Sequence, residues 1–227
     1  MMEYLLNLWP GLVGPAAGVL GGGARSMDMP ALLALAAALG WASGLRLYAV
    51  LFIAGLAGMA GWMELPQGLQ VLQHPAMLVA SGCMLFVEFF ADKIPGLDSL
   101  WDMLHSVIRV PGGALLAAGV FGADNATMAV VGALMGGTLA ATSFAGKAST
   151  RAAVNTSPEP FSNIAVSLLE DGLVVGALWL ATQHPLLFGM VLVVVLVLTV
   201  LLTIVLFRFL QAILRRIGAW LGPAAPQ

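Results

Sequence analysis

Polar positions along this chain are sparse, and the apolar runs between them are long. Residues 30–61, 75–91, 97–121, 126–146, 161–182 and 185–207 each approach or exceed the about 20 residues that a helix needs to cross a bilayer. Pro30, Pro75 and Pro185 each open a run, where a missing N–H costs a helix nothing. The pattern predicts an all-α polytopic membrane bundle of about six transmembrane helices over residues 30–216. Ahead of it, residues 1–29 are apolar but interrupted by Pro10, Gly14, Pro15 and Gly21-Gly22-Gly23. No Lys or Arg precedes their apolar part, so they lack the n-region of a signal peptide. They read as a poorly ordered or interfacial extension, and residues 217–227 read as a C-terminal tail.

Composition sharpens the class. Hydrophobic residues make up 60% of the 227 and charged ones 9%, against roughly 25% charged in a soluble domain. A soluble protein this poor in charge could not cover its exterior with polar groups, whereas lipid removes that demand. The net charge of −2, without a basic stripe, excludes nucleic acid as a partner. Cys83 is the single cysteine, so neither an intramolecular disulfide nor a multi-thiol metal site is possible in one chain. It is expected to be a small buried apolar side chain.

Charge placement then orients the spans. Arg25 precedes the first run, Lys93 and Arg109 lie around the second turn, and Lys147 and Arg151 follow the fourth run. Arg208, Arg215 and Arg216 come after the last. The intervening loops carry Glu64, Asp124 and Gln183-His184, with no Lys or Arg. By the positive-inside rule both termini face the cytoplasm, which requires an even number of spans. Small residues recur at four-residue spacing in Ala54/Gly58, Ala57/Gly61, Gly132/Gly136 and Ala133/Gly137, as close helix packing in membranes requires.

Three stretches are distinctive: GLRLYAVLFIAGLAG at 44–58, EFFADKIPGLDSLWD at 88–102 and KASTRAAVNTSPEPFSN at 147–163. In these the chain resembles an uncharacterised bacterial membrane-protein family, domain of unknown function 4126, over roughly residues 31–187. The resemblance implies a small multi-pass protein of the bacterial inner membrane. It implies no activity.

Candidate chemistry lies in the ionisable residues at membrane depth. Arg46 falls midway along the first span, Glu88 and Asp92 share a face of the second, and Glu170 and Asp171 fall inside the fifth. Each would cost at least about 2.5–3.5 kcal/mol if left unpaired there. Asp98, Asp102, His105 and Arg109 make one helical stripe after Pro95, and Asn163, Ser167 and Glu170 make another after Pro160. The first stripe belongs either to a helix lying flat at the cytoplasmic surface or to one facing an internal cavity. Leu85, Phe90, Ala91 and Lys93 match Leu139, Phe144, Ala145 and Lys147 at constant offset, so the halves look duplicated, as in many transporters. Residues 147–163 otherwise read as a polar cytoplasmic loop.

Gln73-His74-Pro75 and Gln183-His184-Pro185 echo each other, but turn formation explains them without a metal. No HExxH, GxSxG or P-loop is present, and the adjacent Glu170 and Asp171 point about 100° apart on a helix. No catalytic residue, metal or cofactor is expected. The leading expectation is a small transporter or channel for an ion, small solute or lipid, its polar interior lined by the charges above. The alternatives are a non-transporting scaffold with buried ion pairs and an intramembrane lipid-modifying enzyme. Membrane lipids are the expected partners, with a homo-oligomer possible.

Overall fold

The sequence signals for helix starts agree closely with where the helices begin. In the computed structural model, residues 27–94, 96–122, 125–156 and 160–221 are described, and among them there are helices and no strands. Helix α1 (Met29–Met59) starts where the Asp28 carboxylate accepts the Ala31 N–H at 3.0 Å and Pro30 occupies the first turn. A 3₁₀ turn (Gln67–Gln73) leads into α2 (Pro75–Ala91), bent 69° from it. His74 caps α2 through Nδ1, which accepts the Ala76 N–H at 3.2 Å, so this histidine serves the turn. Then come α3 (Leu97–Phe121), α4 (Ala126–Val154), α5 (Pro160–Gln183) and α6 (Pro185–Leu221).

Five of these, α1 and α3 to α6, are long and apolar enough to span a membrane, and α2 with its bent 3₁₀ turn makes a sixth if that bent pair is one span. The molecule is a polytopic helical bundle. Helix α1 is its axis, packed against each of the other five. Its small residues Ala34, Ala36, Ala37 and Ala38, then Ala42, Ser43 and Gly44, let neighbours approach to backbone distance. At one close approach Gly40, Gly113 and Gly136 of α1, α3 and α4 interlock. A Cβ on Gly40 would stand 2.5 Å from the Gly136 Cα, and one on Gly136 would stand 2.6 Å from the Gly113 carbonyl oxygen.

Three expectations change. Helix α4 continues eight residues beyond the expected end of its span, because Lys147–Val154 contains no Gly or Pro and is rich in Ala. The expected polar loop thus shrinks, and Asn163 lies inside α5. Helix α6 runs past residue 207 to Leu221, about 55 Å at 1.5 Å per residue, so it exceeds a hydrocarbon core of about 30 Å. Cys83 is exposed on the outer face of α2 rather than buried, since Ser81 and Glu88 take the inward positions. A small apolar thiol suits a lipid-facing surface as well as a core. Most of the 1–29 extension, Pro95, Asp124 and residues 157–159 lie outside the described residues.

Candidate functional site: a buried ion-pair network at a helix break

Helix α1 is broken at its middle. Arg46 has φ −148° and ψ 86°, far from helical values, while the helix continues on both sides. Such a break leaves backbone groups without helical partners, and within a bundle they must be satisfied by side chains. Helix α4 supplies them. Lys147 Nζ donates to the Leu45 carbonyl at 3.0 Å and Ser143 Oγ to the Trp41 carbonyl at 2.6 Å. Gly44 is required beside it, because a Cβ there would collide with Ser143 and the Ala140 carbonyl.

Arg46 turns inward from this break and is fully buried. Its Nη2 lies 2.9 Å from Asp92 Oδ2, and its Nε lies 2.9 Å from Asp171 Oδ1 and 3.7 Å from Glu170 Oε2. Nη2 also donates to Ser167 Oγ at 2.7 Å. The expectation that mid-span Arg46 must find an acid is met by three. A guanidinium here cannot snorkel, because either end of the helix is some 20 Å away.

Around this centre the other charges join. Arg109 donates to Asp102 Oδ1 at 2.6 Å and to Glu88 Oε1 at 2.7 Å. Lys147 Nζ stands 3.1 Å from Asp102, 3.3 Å from Asp92 and 3.3 Å from Glu170. Arg151 pairs with Glu170 at 3.0 Å, approaches Asp92 and Asp98 at 3.5 and 3.6 Å, and donates to Asn163 Oδ1 at 2.7 Å. Its Nη1 also reaches the Asp92 carbonyl at 2.7 Å, holding the end of α2. Asn155 donates to both oxygens of Asp98. One continuous network therefore links α1, α2, α3, α4 and α5.

The stripe from Asp98 to Arg109 faces the bundle interior, with Asp98, Asp102 and Arg109 buried and not solvated. Of the candidate site residues, Asn163 joins the network by a hydrogen bond and His105 stays outside it. Its ring stacks on Trp101 at 4.0 Å and meets the Tyr48 ring edge-on at 5.7 Å, with Nδ1 2.9 Å from the Trp101 carbonyl oxygen. Glu170 and Asp171 diverge, Glu170 inward and Asp171 toward a surface groove. Arg46 and Arg109 share no carboxylate in these pairs. Among the described residues no cluster of His, Cys, Asp and Glu is placed to hold a metal ion.

Sequence reasoning missed Lys147 and Arg151, both buried. Their signal was present: Gly136, Ala140, Ser143, Lys147 and Arg151 follow one helical face. A family model described as a domain of unknown function (DUF4126) matches residues 33–204. The chain belongs to that family. The match takes in the whole of the DUF4126 network, from Arg46 to Asp171, and reaches into α6. No curated protein and no solved structure matches this DUF4126 chain.

Proposed function

We propose that the chain is a small membrane transporter or channel in which a proton or monovalent cation moves through, or is coupled to, the network at the α1 break. One observation carries the reading: among the described residues, the network holds more negative than positive charge. Glu88, Asp92, Asp98, Asp102, Glu170 and Asp171 are six carboxylates, facing the four fully buried bases Arg46, Arg109, Lys147 and Arg151. Half-buried Lys93, near Ser167 at 3.5 Å, is a fifth base at the edge. Glu88 Oε2, Asp92 Oδ1 and Asp102 Oδ2 are buried without a hydrogen-bond donor. In a low-dielectric interior such a surplus is expensive until a proton or cation balances it. Scaffolding alone would favour balanced charges or apolar packing.

The helix break supports the same reading, since discontinuous helices near the bilayer midplane form the ion and substrate sites of many transporters. So does the crossed pairing of the two sequence echoes. Lys147 of the second echo contacts Asp102 in the stripe of the first, and Lys93 of the first contacts Ser167 in the stripe of the second. Two duplicated helix pairs, α2–α3 and α4–α5, would meet at the network in this way. The family's membrane is, on this proposal, the bacterial inner membrane, with both termini cytoplasmic.

Closed packing favours the scaffold alternative: Arg46, Glu88, Asp92 and Asp98 have no exposed surface. Transport would require the network to open. Reconstitution into vesicles holding a pH-sensitive dye tests this under an imposed potential, with Na⁺ and K⁺ gradients run in parallel. Flux several-fold above empty vesicles, lost in Asp92→Asn, is the expected result. No flux of H⁺, Na⁺ or K⁺ would overturn it.

A further inference from the structure

A groove of about 470 Å³ lies between α1, α2 and α5 at the surface of the bundle. Its size falls within the range of small-molecule sites. The walls are apolar and aromatic, with Ile53 of α1, Phe86, Phe89 and Phe90 of α2, and Val175 of α5. The one charged residue lining it is Asp171. This carboxylate is the network's outlet: its side chain is 28% exposed, while those of the other five network acids are 6% or less.

We propose that this groove binds a hydrophobic monovalent cation, an alkyl- or aryl-substituted ammonium or phosphonium. Its charge would rest against Asp171 and its apolar groups among the phenylalanines. The proposal rests on the transporter reading and names the substrate class of the same site. The sign follows from the network, which has carboxylates in excess of bases and presents one of them to the groove. An anionic head group would meet that carboxylate and be repelled. A neutral apolar molecule would leave the surplus charge unbalanced. The rings suit a cation, because the face of an aromatic ring attracts positive charge. The protein already uses one of them so: Lys93 Nζ stands 3.0 Å from the centroid of the Phe89 ring. An incoming cation would compete with Arg46 for Asp171, now 2.9 Å from Arg46 Nε. Occupancy of the groove is thereby coupled to the pairing at the α1 break.

Equilibrium binding of radiolabelled tetraphenylphosphonium to the purified full chain in lipid nanodiscs tests the proposal. Saturable binding is expected, weakened about tenfold or more by Asp171→Asn and held within about threefold by Asp171→Glu. Ile53→Trp, which fills the groove without touching an ion pair, should abolish it. Tetraphenylborate, of the same shape and opposite charge, should not compete. The proposal fails if wild-type protein shows no saturable binding, if Asp171→Asn binds as well as wild type, or if tetraphenylborate competes equally. Should Asp171→Asn not remain monodisperse, Ile53→Trp and the borate comparison decide alone. Binding without ion flux in vesicles would keep the groove and remove the transport reading. Flux without binding would do the reverse.

Discussion

Arg46 illustrates what a single residue in a membrane can and cannot reveal. Its charge and mid-span depth dictate a partner, and that much is legible in the sequence. Which partner is not, because Asp92, Glu170 and Asp171 come from two different helices whose approach only the bundle fixes. The energetic consequence follows from burial. Removing Arg46 leaves Asp92 wholly buried without its closest guanidinium, and breaking a buried pair from one side costs about 3–5 kcal/mol. Arg46→Ala should therefore lower the melting temperature in detergent, with a loss of yield. Replacing Arg46 by Met together with Asp92 by Leu should restore much of it, since both side chains of that pair are fully buried and apolar replacement of a buried pair is often neutral. If the double variant recovers stability but not ion flux, the pair serves transport. If it recovers both, the pair is structural.

At the scale of elements, the sequence located helices better than it located their ends. Helix α4 is the instructive case. Lys147 and Arg151 looked like loop residues because they are charged and follow an apolar run, yet each has its acids waiting on α2, α3 and α5. No local rule supplies those acids. The small-residue pattern was more informative, since Gly136 sits where three helices meet. A methyl at Gly136 would strike Ala117 of α3 and the Gly113 carbonyl, and overpacking of this kind costs about 1–3 kcal/mol. On the outer side, Gly172 has open space around it. Thermal unfolding of purified variants should thus show Gly136→Ala clearly destabilised and Gly172→Ala near wild type. Equal effects at both positions would mean that the α1–α3–α4 contact is looser than its geometry.

For the whole molecule, burial of the network changes the argument for orientation without reversing it. Arg109, Lys147 and Arg151 are sequestered in ion pairs, so in the folded protein they are not free loop charges. Orientation is set during insertion, however, before those pairs exist, and Lys or Arg near a span end acts then. Arg208, Arg215 and Arg216 near the far end of α6 remain exposed and point to the same side. Glu64, exposed between α1 and the 3₁₀ turn, should face the opposite side, with no Lys or Arg in that connection. With the bent pair as one span, six crossings would return the chain to the side on which α1 begins. In a Cys83→Ala background, a membrane-impermeant maleimide added to intact cells should label Glu64→Cys and spare Gln227→Cys until the membrane is opened. Labelling of both in intact cells, or of neither, would leave an odd number of crossings between them untenable. The bent 3₁₀–α2 pair would then be a re-entrant loop, and the two echoed helix pairs could not be related by the crossing that the network contacts imply.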